Sequence, residues 1–309
     1  MEKGSSLWKD AWHRLVQNHA AIVSLFALIT ILALCFIGPL LPFVKSPTAI
    51  NLANAAAPPS TDYWFGTDQL GRDLFSRVLY GGRVSLLVGL VATAVAVFIG
   101  VIYGAIAGYA GGKTDDLLMR LVDILFALPF LVLVILFALV VDRPAAEFTE
   151  WVIKITGFTR DSVAPITTLI PLFIAIGSIG WLTIARIVRA QVMAVKKQEF
   201  VEAAVSLGLS QWRILFRHIL PNVIGPIIIY TTLAVPGIML LESVLSFLGL
   251  GVKPPGSSWG ILIKEGADRM EINGLLLFFP SLFFASTLFA LNFLGDGLRD
   301  ALDPKSAKD

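Results

Sequence analysis

The chain has 309 residues, 56% of them hydrophobic and only 15% charged, with a mean hydropathy of +0.80. A soluble domain of this length cannot carry so apolar a composition, so the sequence specifies a membrane protein with no long soluble domain. A formal charge of +2, with no basic patch interleaved with aromatics, excludes a nucleic-acid groove.

Six apolar stretches reach the roughly 20 residues that a helix needs to cross a bilayer core. They run from Ala20 to Leu41, Val84 to Tyr109, Leu117 to Val141, Ile166 to Ile187, Val223 to Leu248 and Leu275 to Leu294. The expected fold is therefore an all-α membrane protein with six transmembrane helices. The expected organisation is an amino tail over 1–19, a transmembrane domain over 20–296 that includes a polar loop at 190–222, and a carboxyl tail over 297–309. The first span imitates a secretory signal, since Lys3, Lys9 and Arg14 precede it and small residues follow at Ala53 to Ala57. Its apolar core is longer than a signal's, and the small residues lie well beyond its end, so it stays as a helix. Cys35, the only cysteine, lies inside this span and reads as packing.

Before the second span, Leu70, Leu74 and Val78 share one helical face, while Asp73 and Arg77 sit four apart on another. This predicts an interfacial helix started by Thr67 or Asp68. Within the second span Gly100, Gly104 and Gly108 recur every four residues, a spacing that lets another helix approach closely; a hinge is the alternative. The run Ala107-Gly-Tyr-Ala-Gly-Gly112-Lys113-Thr114 imitates a phosphate-binding loop, but it ends a membrane helix rather than following a strand, so no ATP site is expected. After the third span, residues 142–164 carry Glu147, Trp151, Lys154 and Arg160, and their amphipathic character predicts a helix lying on the outer surface.

The loop at 190–222 is the most informative polar segment. A helix from about Gln198 to Leu207 puts Phe200, Ala203, Ala204 and Leu207 on one side. Gly208 can end that helix in the left-handed conformation, Ser210 can cap a second one, and Pro221 stands where the next span begins. Two short helices with a tight corner result. Small alanines let a partner backbone approach, and Glu202 offers a carboxylate to a partner's arginine. Arg186, Arg189, Lys196, Lys197, Arg213 and Arg217 flank the loop. An ordinary solvated loop is the alternative.

In the fifth span Pro226, Pro236 and Gly237 weaken the hydrogen-bond ladder and invite a kink. Glu242 is an ionisable group within the apolar run Ile238 to Leu250. It has two readings: a group lining a translocation path, or one near the outer headgroups. His13, His19 and His218 are widely separated and lack metal-ligand spacing, so no metal site is expected. No nucleophile, base and acid set can be assembled, so no catalytic residue and no enzyme activity is expected.

Glu202-Ala203-Ala204, then Gly208 four residues on, then His218-Ile219-Leu220-Pro221, resembles the Glu-Ala-Ala loop of permease subunits in ATP-binding-cassette importers. The pattern Phe65-Gly66-Thr67-Asp68, Gly71-Arg72-Asp73, Ser76-Arg77 is similar to that of the peptide and nickel subgroup, as are Leu245 to Gly251 and Gly295 to Pro304. Within that subgroup the resemblance is nearest to the second permease of oligopeptide importers, and residues 142–164 form a longer link than that subunit leads one to expect. The resemblance implies a type I importer permease fold in which Glu202, Ala203, Ala204, Leu207, Gly208, His218 and Pro221 belong to a coupling loop. It implies as partners a homologous second permease, two cytosolic ATPases, an external substrate-binding protein and a peptide, with ATP and Mg used by the ATPases and no cofactor on this chain. Import by alternating access across a bacterial inner membrane is then the expected function. An ion-driven secondary transporter, an assembly protein and a permease for nickel or another solute are the alternatives.

Orientation follows from the basic residues of the amino tail, of Lys113 and Arg120, of the 190–222 loop and of Arg299, Lys305 and Lys308, which belong on the cytoplasmic side. Lys45, Arg72, Arg77 and Arg83 run against this rule and are partly balanced by Asp62, Asp68 and Asp73.

Overall fold

The computed structural model describes residues 7–159, 163, 167, 169–252 and 256–302. Among these the regular structure is helical, with an isolated bridge between Thr67 and Asp73. Five helices are long and apolar enough to cross a membrane, and a sixth span arises if a bent helix pair counts as one.

A short helix α1 (Leu7–Gln17) precedes α2 (His19–Phe36), and Asn18 between them caps α2 by accepting from Ala21 N at 3.1 Å. The second span begins earlier than its apolar core suggests. Asp73 caps α3 (Leu74–Ala110) by accepting from the backbone N–H and the hydroxyl of Ser76, and the helix then runs 37 residues without a break. At 1.5 Å per residue it is about 55 Å long, well beyond a hydrocarbon core of about 30 Å. The separate interfacial helix expected before this span is thus a continuous extension of it, and Thr67 and Asp68 lie in the loop ahead of the cap. The Thr67 hydroxyl donates to Asn54 O, and Asp68 Oδ1 accepts from the N–H groups of Leu70 and Arg72. Arg77 does not pair with Asp73, four residues back, but with Asp68 and Glu265.

The third predicted span departs most from expectation. Helix α4 (Gly112–Ala127) and helix α5 (Phe130–Thr156) meet at a 95° bend across Leu128 and Pro129. Proline disfavours helical backbone at the residue before it and supplies no N–H, so one straight helix over 117–141 does not form. Helix α5 instead absorbs residues 142–156, the first part of the expected surface helix, and ends at Gly157 with φ +69°. Most of 160–164 lies outside the described residues.

Helix α6 (Ile170–Lys196) extends beyond the predicted end of the fourth span at Ile187, so Arg189 and Lys196 join Arg186 on the span helix itself. After the loop helix α7 (Glu199–Ser206), the chain is helical from Gln211 onward. It passes through α8 (Gln211–Ile214), a π turn at Leu215–Ile219 and α9 (Leu220–Phe247). A short helix α10 (Trp259–Ala267) then leads to α11 (Leu275–Leu302), which takes in the start of the predicted carboxyl tail.

Helices α3 and α6 form the centre. A Cβ at Gly100 would lie 2.8 Å from Ile184 Cβ, and one at Gly108 would lie 2.7 Å from Arg189 O. The glycine stripe therefore sits where two backbones nearly touch, which in a bilayer supplies the dispersion contacts that hold helices together. Around this pair, one core joins α3, α5, α6, α7 and α9 through residues such as Val88, Leu133, Ile176, Leu182, Val201 and Val223. Ala92, Ala96 and Ala105 keep the α3 face of this core thin. A second core joins α2, α9, α10, α11 and the first turns of α3 around Cys35, Leu74, Val78, Met239 and Trp259. Large apolar side chains such as Phe26, Phe98 and Phe289 point outward, as a lipid-facing surface requires.

Candidate functional site

The polar loop is built on a helix of eight residues, Glu199–Ser206. Glu199 and Glu202 lie in its first turn, where carboxylates complement the helix dipole. Val201 and Ala204 are buried in the α3–α6–α9 core, whereas Phe200, Glu202, Ala203, Val205 and Leu207 are exposed, Leu207 at 80%. The face expected to carry Phe200, Ala203, Ala204 and Leu207 is thus divided, with Ala204 turned inward as the anchor.

The helix ends in a paired cap. Leu209 N donates to Ala204 O at 3.3 Å and Gly208 N to Val205 O at 2.9 Å, with Gly208 at φ +72°. That is the left-handed cap for which glycine carries no Cβ penalty. A Cβ at Gly208 would meet nothing within 4 Å, so the need for glycine here is conformational and not steric. Leu209 returns the chain to the core.

Ser210 occupies the next cap position without a side-chain hydrogen bond. The expected second short helix does not stand apart: α8 runs through the π turn into α9. Leu220 N donates to Leu215 O across that turn, and Pro221, which has no N–H to donate, follows at once. Ile214, Leu215 and Ile219 point inward, while Trp212, 63% exposed, stacks on Phe216 at 5.7 Å between ring centroids. His218 is half-buried, and its carbonyl accepts from Asn222 Nδ2 at 2.6 Å.

Three of the six flanking cations are engaged within the chain. Arg189 donates to both oxygens of Asp115 on α4, each at 2.5 Å, and Arg186 donates to Asp123 at 2.6 Å while lying over the Phe126 ring. Lys196 donates to Tyr109 O at the end of α3, at 2.6 Å. Lys197, Arg213 and Arg217 are exposed. The loop thus presents Phe200, Leu207, Trp212 and Phe216 with a charged rim, anchored through Val201, Ala204, Leu209 and Ile214 to the central helices. An apolar patch with a polar rim is the anatomy of a protein-docking surface.

Residues 100–308 match the family model described as "binding-protein-dependent transport system inner membrane component". The chain belongs to that family. Residues 6–59 of this permease also match the N-terminal transmembrane domain of oligopeptide transport permease C. The permease is 46% identical to the oligopeptide transport system permease protein OppC of Haemophilus influenzae, over 98% of this chain and 90% of the relative. It is 42% identical to OppC of Bacillus subtilis, over 99% and 92%, and 41% identical to the dipeptide transport system permease protein DppC of the same species, over 97% and 86%. Its fold is that of type I ABC importer permeases, and it is an OppC/DppC-like member of the family.

Glu242 of the permease lies at the opposite end of the bundle from the loop. It is fully enclosed, with Oε1 accepting from Ser246 at 2.7 Å and Oε2 from Ser85 at 3.1 Å. In this conformation it is not on an open path. The phosphate-loop imitation at Ala107 to Thr114 is the junction of α3 and α4, with no strand before it. No cluster of potential metal ligands occurs among the described residues. Sequence reasoning missed Trp212 and Phe216, although their four-residue spacing beside Arg213 and Arg217 was a readable signal.

Proposed function

We propose that this permease is one of two homologous membrane subunits of an ATP-driven peptide importer, and that the 199–217 surface is where a cytosolic ATPase docks. The observation that carries this reading is the loop's two-sided construction. Phe200, Leu207, Trp212 and Phe216 face outward, while Val201, Ala204 and Leu209 are packed into the same core as α3, α6 and α9. A push on the outward face therefore reaches the spans through packed side chains rather than through a slack linker.

The names of the relatives support peptide as cargo, since they are oligopeptide and dipeptide permeases. The partner ATPases bind ATP and Mg, an extracytoplasmic binding protein delivers cargo, and this chain binds no cofactor. Both termini and the loop lie in the cytoplasm by the distribution of basic residues. Import proceeds by alternating access: the loop holds the ATPase in both states with different contacts, because only differential contacts shift an equilibrium.

The test is site-specific photocrosslinking from Ala203, which is exposed beside the anchor Ala204. In inside-out vesicles of the assembled transporter, a photoreactive side chain at 203 should capture an ATPase subunit, with a yield that changes on ATP binding. Capture of none, or a cysteine at 203 that membrane-impermeant reagents reach only from the lumen of these vesicles, the extracytoplasmic face, contradicts the reading.

A further inference from the structure

At the end of the bundle away from the docking loop, α10 is held at both ends by polar groups that belong to distant parts of the chain. At its start, Ser258 accepts from Ile261 N and lies 3.3 Å from the Ser246 hydroxyl, while Trp259 N donates to Ser85 Oγ at 3.1 Å. Ser85 and Ser246 both donate to Glu242, so this carboxylate joins α3 to α9, and the same two serines reach Ser258 and Trp259 N at the first turn of α10. The Trp259 indole donates to Val78 O at 2.9 Å. Toward the other end of α10, Arg77 donates to both oxygens of Glu265, at 2.7 and 3.1 Å, and to Asp68 at 2.8 Å. Arg77 is 3% exposed.

Between these two pins the backbones are in contact. A Cβ at Gly81 would lie 3.1 Å from Leu262 Cδ1 and from the backbone carbon of Ser258, and one at Gly260 would lie 2.6 Å from Ser243 Cα. Separating α10 from α3 would take the Val78 carbonyl from the Trp259 indole, Ser85 Oγ from Trp259 N and Glu265 from the enclosed Arg77, which would keep only Asp68, and breaking such enclosed polar contacts is costly.

We propose that α10, the outer half of α9 and the first turns of α3 move as one rigid block during transport. Glu242 and Arg77 are its positioning residues, and the cargo path does not open between α3 and α10. The proposal rests on the importer reading above. It gives Glu242 a role other than contact with cargo.

The experiment uses the complete transporter in proteoliposomes, with Cys35→Ala as background and the pair Gly81→Cys with Leu262→Cys, whose oxidation joins α3 to α10. Uptake by the background protein is the control, and its absence sinks the importer reading alone. With uptake present, the expected result is that the disulfide leaves peptide transport as in the reduced protein. Transport stopped by the disulfide and restored by reductant overturns the rigid block. Should the pair be inactive in both redox states, spin labels at Leu87 and Lys264 decide. An interspin distance that is the same in nucleotide-free and ATP-trapped transporter supports the block, and a shift between the two states overturns it. Glu242→Gln, which keeps acceptor and donor atoms for the serines, should rescue what Glu242→Ala loses, with the KM of uptake unchanged for neutral and cationic peptides. A raised KM confined to cationic peptides would instead make Glu242 a cargo-contacting group.

Discussion

Arg189 and Asp115 face each other across α6 and α4 with two hydrogen bonds of 2.5 Å, and Asp115 is buried beneath the arginine. This bidentate pair ties α4 to α6, while α5, the other half of the broken third span, is held by the apolar core it shares with α3 and α6 through Leu133, Val134 and Ala138. A similar pair, Arg186 with Asp123, is largely exposed, its side chains 44% and 65% accessible.

The two pairs should differ in consequence. Arg189→Ala leaves a buried carboxylate unpaired and is expected to destabilise by about 1–3 kcal/mol, between the values for surface and for buried pairs. Arg186→Ala should cost about 0–1 kcal/mol, as exposed pairs do. Thermal unfolding of the detergent-solubilised complex measures both, and equal effects would show that α4 is held by something other than Asp115.

Glycines in this permease separate by what surrounds them. A Cβ at Gly104 would stand 3.0 Å from both Val188 Cβ and Arg189 N, so Gly104→Leu should push α3 from α6 and lower the folded yield. Gly225 and Gly237 have open space around them, so an alanine at either site should be tolerated and should stabilise by about 0.5–1 kcal/mol through helix propensity. Normal stability but lost uptake in Gly237→Ala would identify position 237, beside Pro236, as the flexing point of α9.

The outward patch should behave as an interface with a few dominant contacts. Trp212→Ala is expected to weaken ATPase association by at least about 2 kcal/mol, roughly thirtyfold, because exposed aromatics at a patch centre carry a disproportionate share of binding energy. Lys197→Ala, at the charged rim, should change affinity little and alter mainly its salt dependence. Binding of the ATPase to permease in nanodiscs, titrated at two salt concentrations, distinguishes the two roles.

What the sequence made legible was the periodic and the local. The apolar runs located the spans, and Gly208 four residues after Ala204 marked the cap that the loop helix uses. Pro129 carried a readable break signal, but apolar residues on both sides, Phe126 and Leu128 before it and Phe130 and Leu131 after it, made one span of two helices. Asp73 was overlooked as a cap because Thr67 and Asp68 offered earlier candidates, and only the structure places Ser76 under its carboxylate. Contacts between distant segments were beyond the reach of a single sequence. Arg77 and Glu265 are 188 residues apart, and Glu242 draws its donors from α3 and from its own helix. The charge flanking the loop was visible, but its engagement by Asp115, Asp123 and Tyr109 O was not, since those partners lie on α3 and α4.

The central claim is that the Ala204–Gly208 corner passes force between an ATPase and the membrane helices, and peptide taken up per ATP hydrolysed tests it most directly. In Gly208→Val the side chain has space, but a β-branched residue at φ +72° is strained, so the cap should rearrange while Val201 and Ala204 stay anchored. The expected result is an assembled transporter that hydrolyses ATP but imports peptide at a small fraction of the wild-type ratio, with Gly208→Asn in between because asparagine tolerates that conformation. An unchanged ratio of uptake to hydrolysis in Gly208→Val would contradict the account.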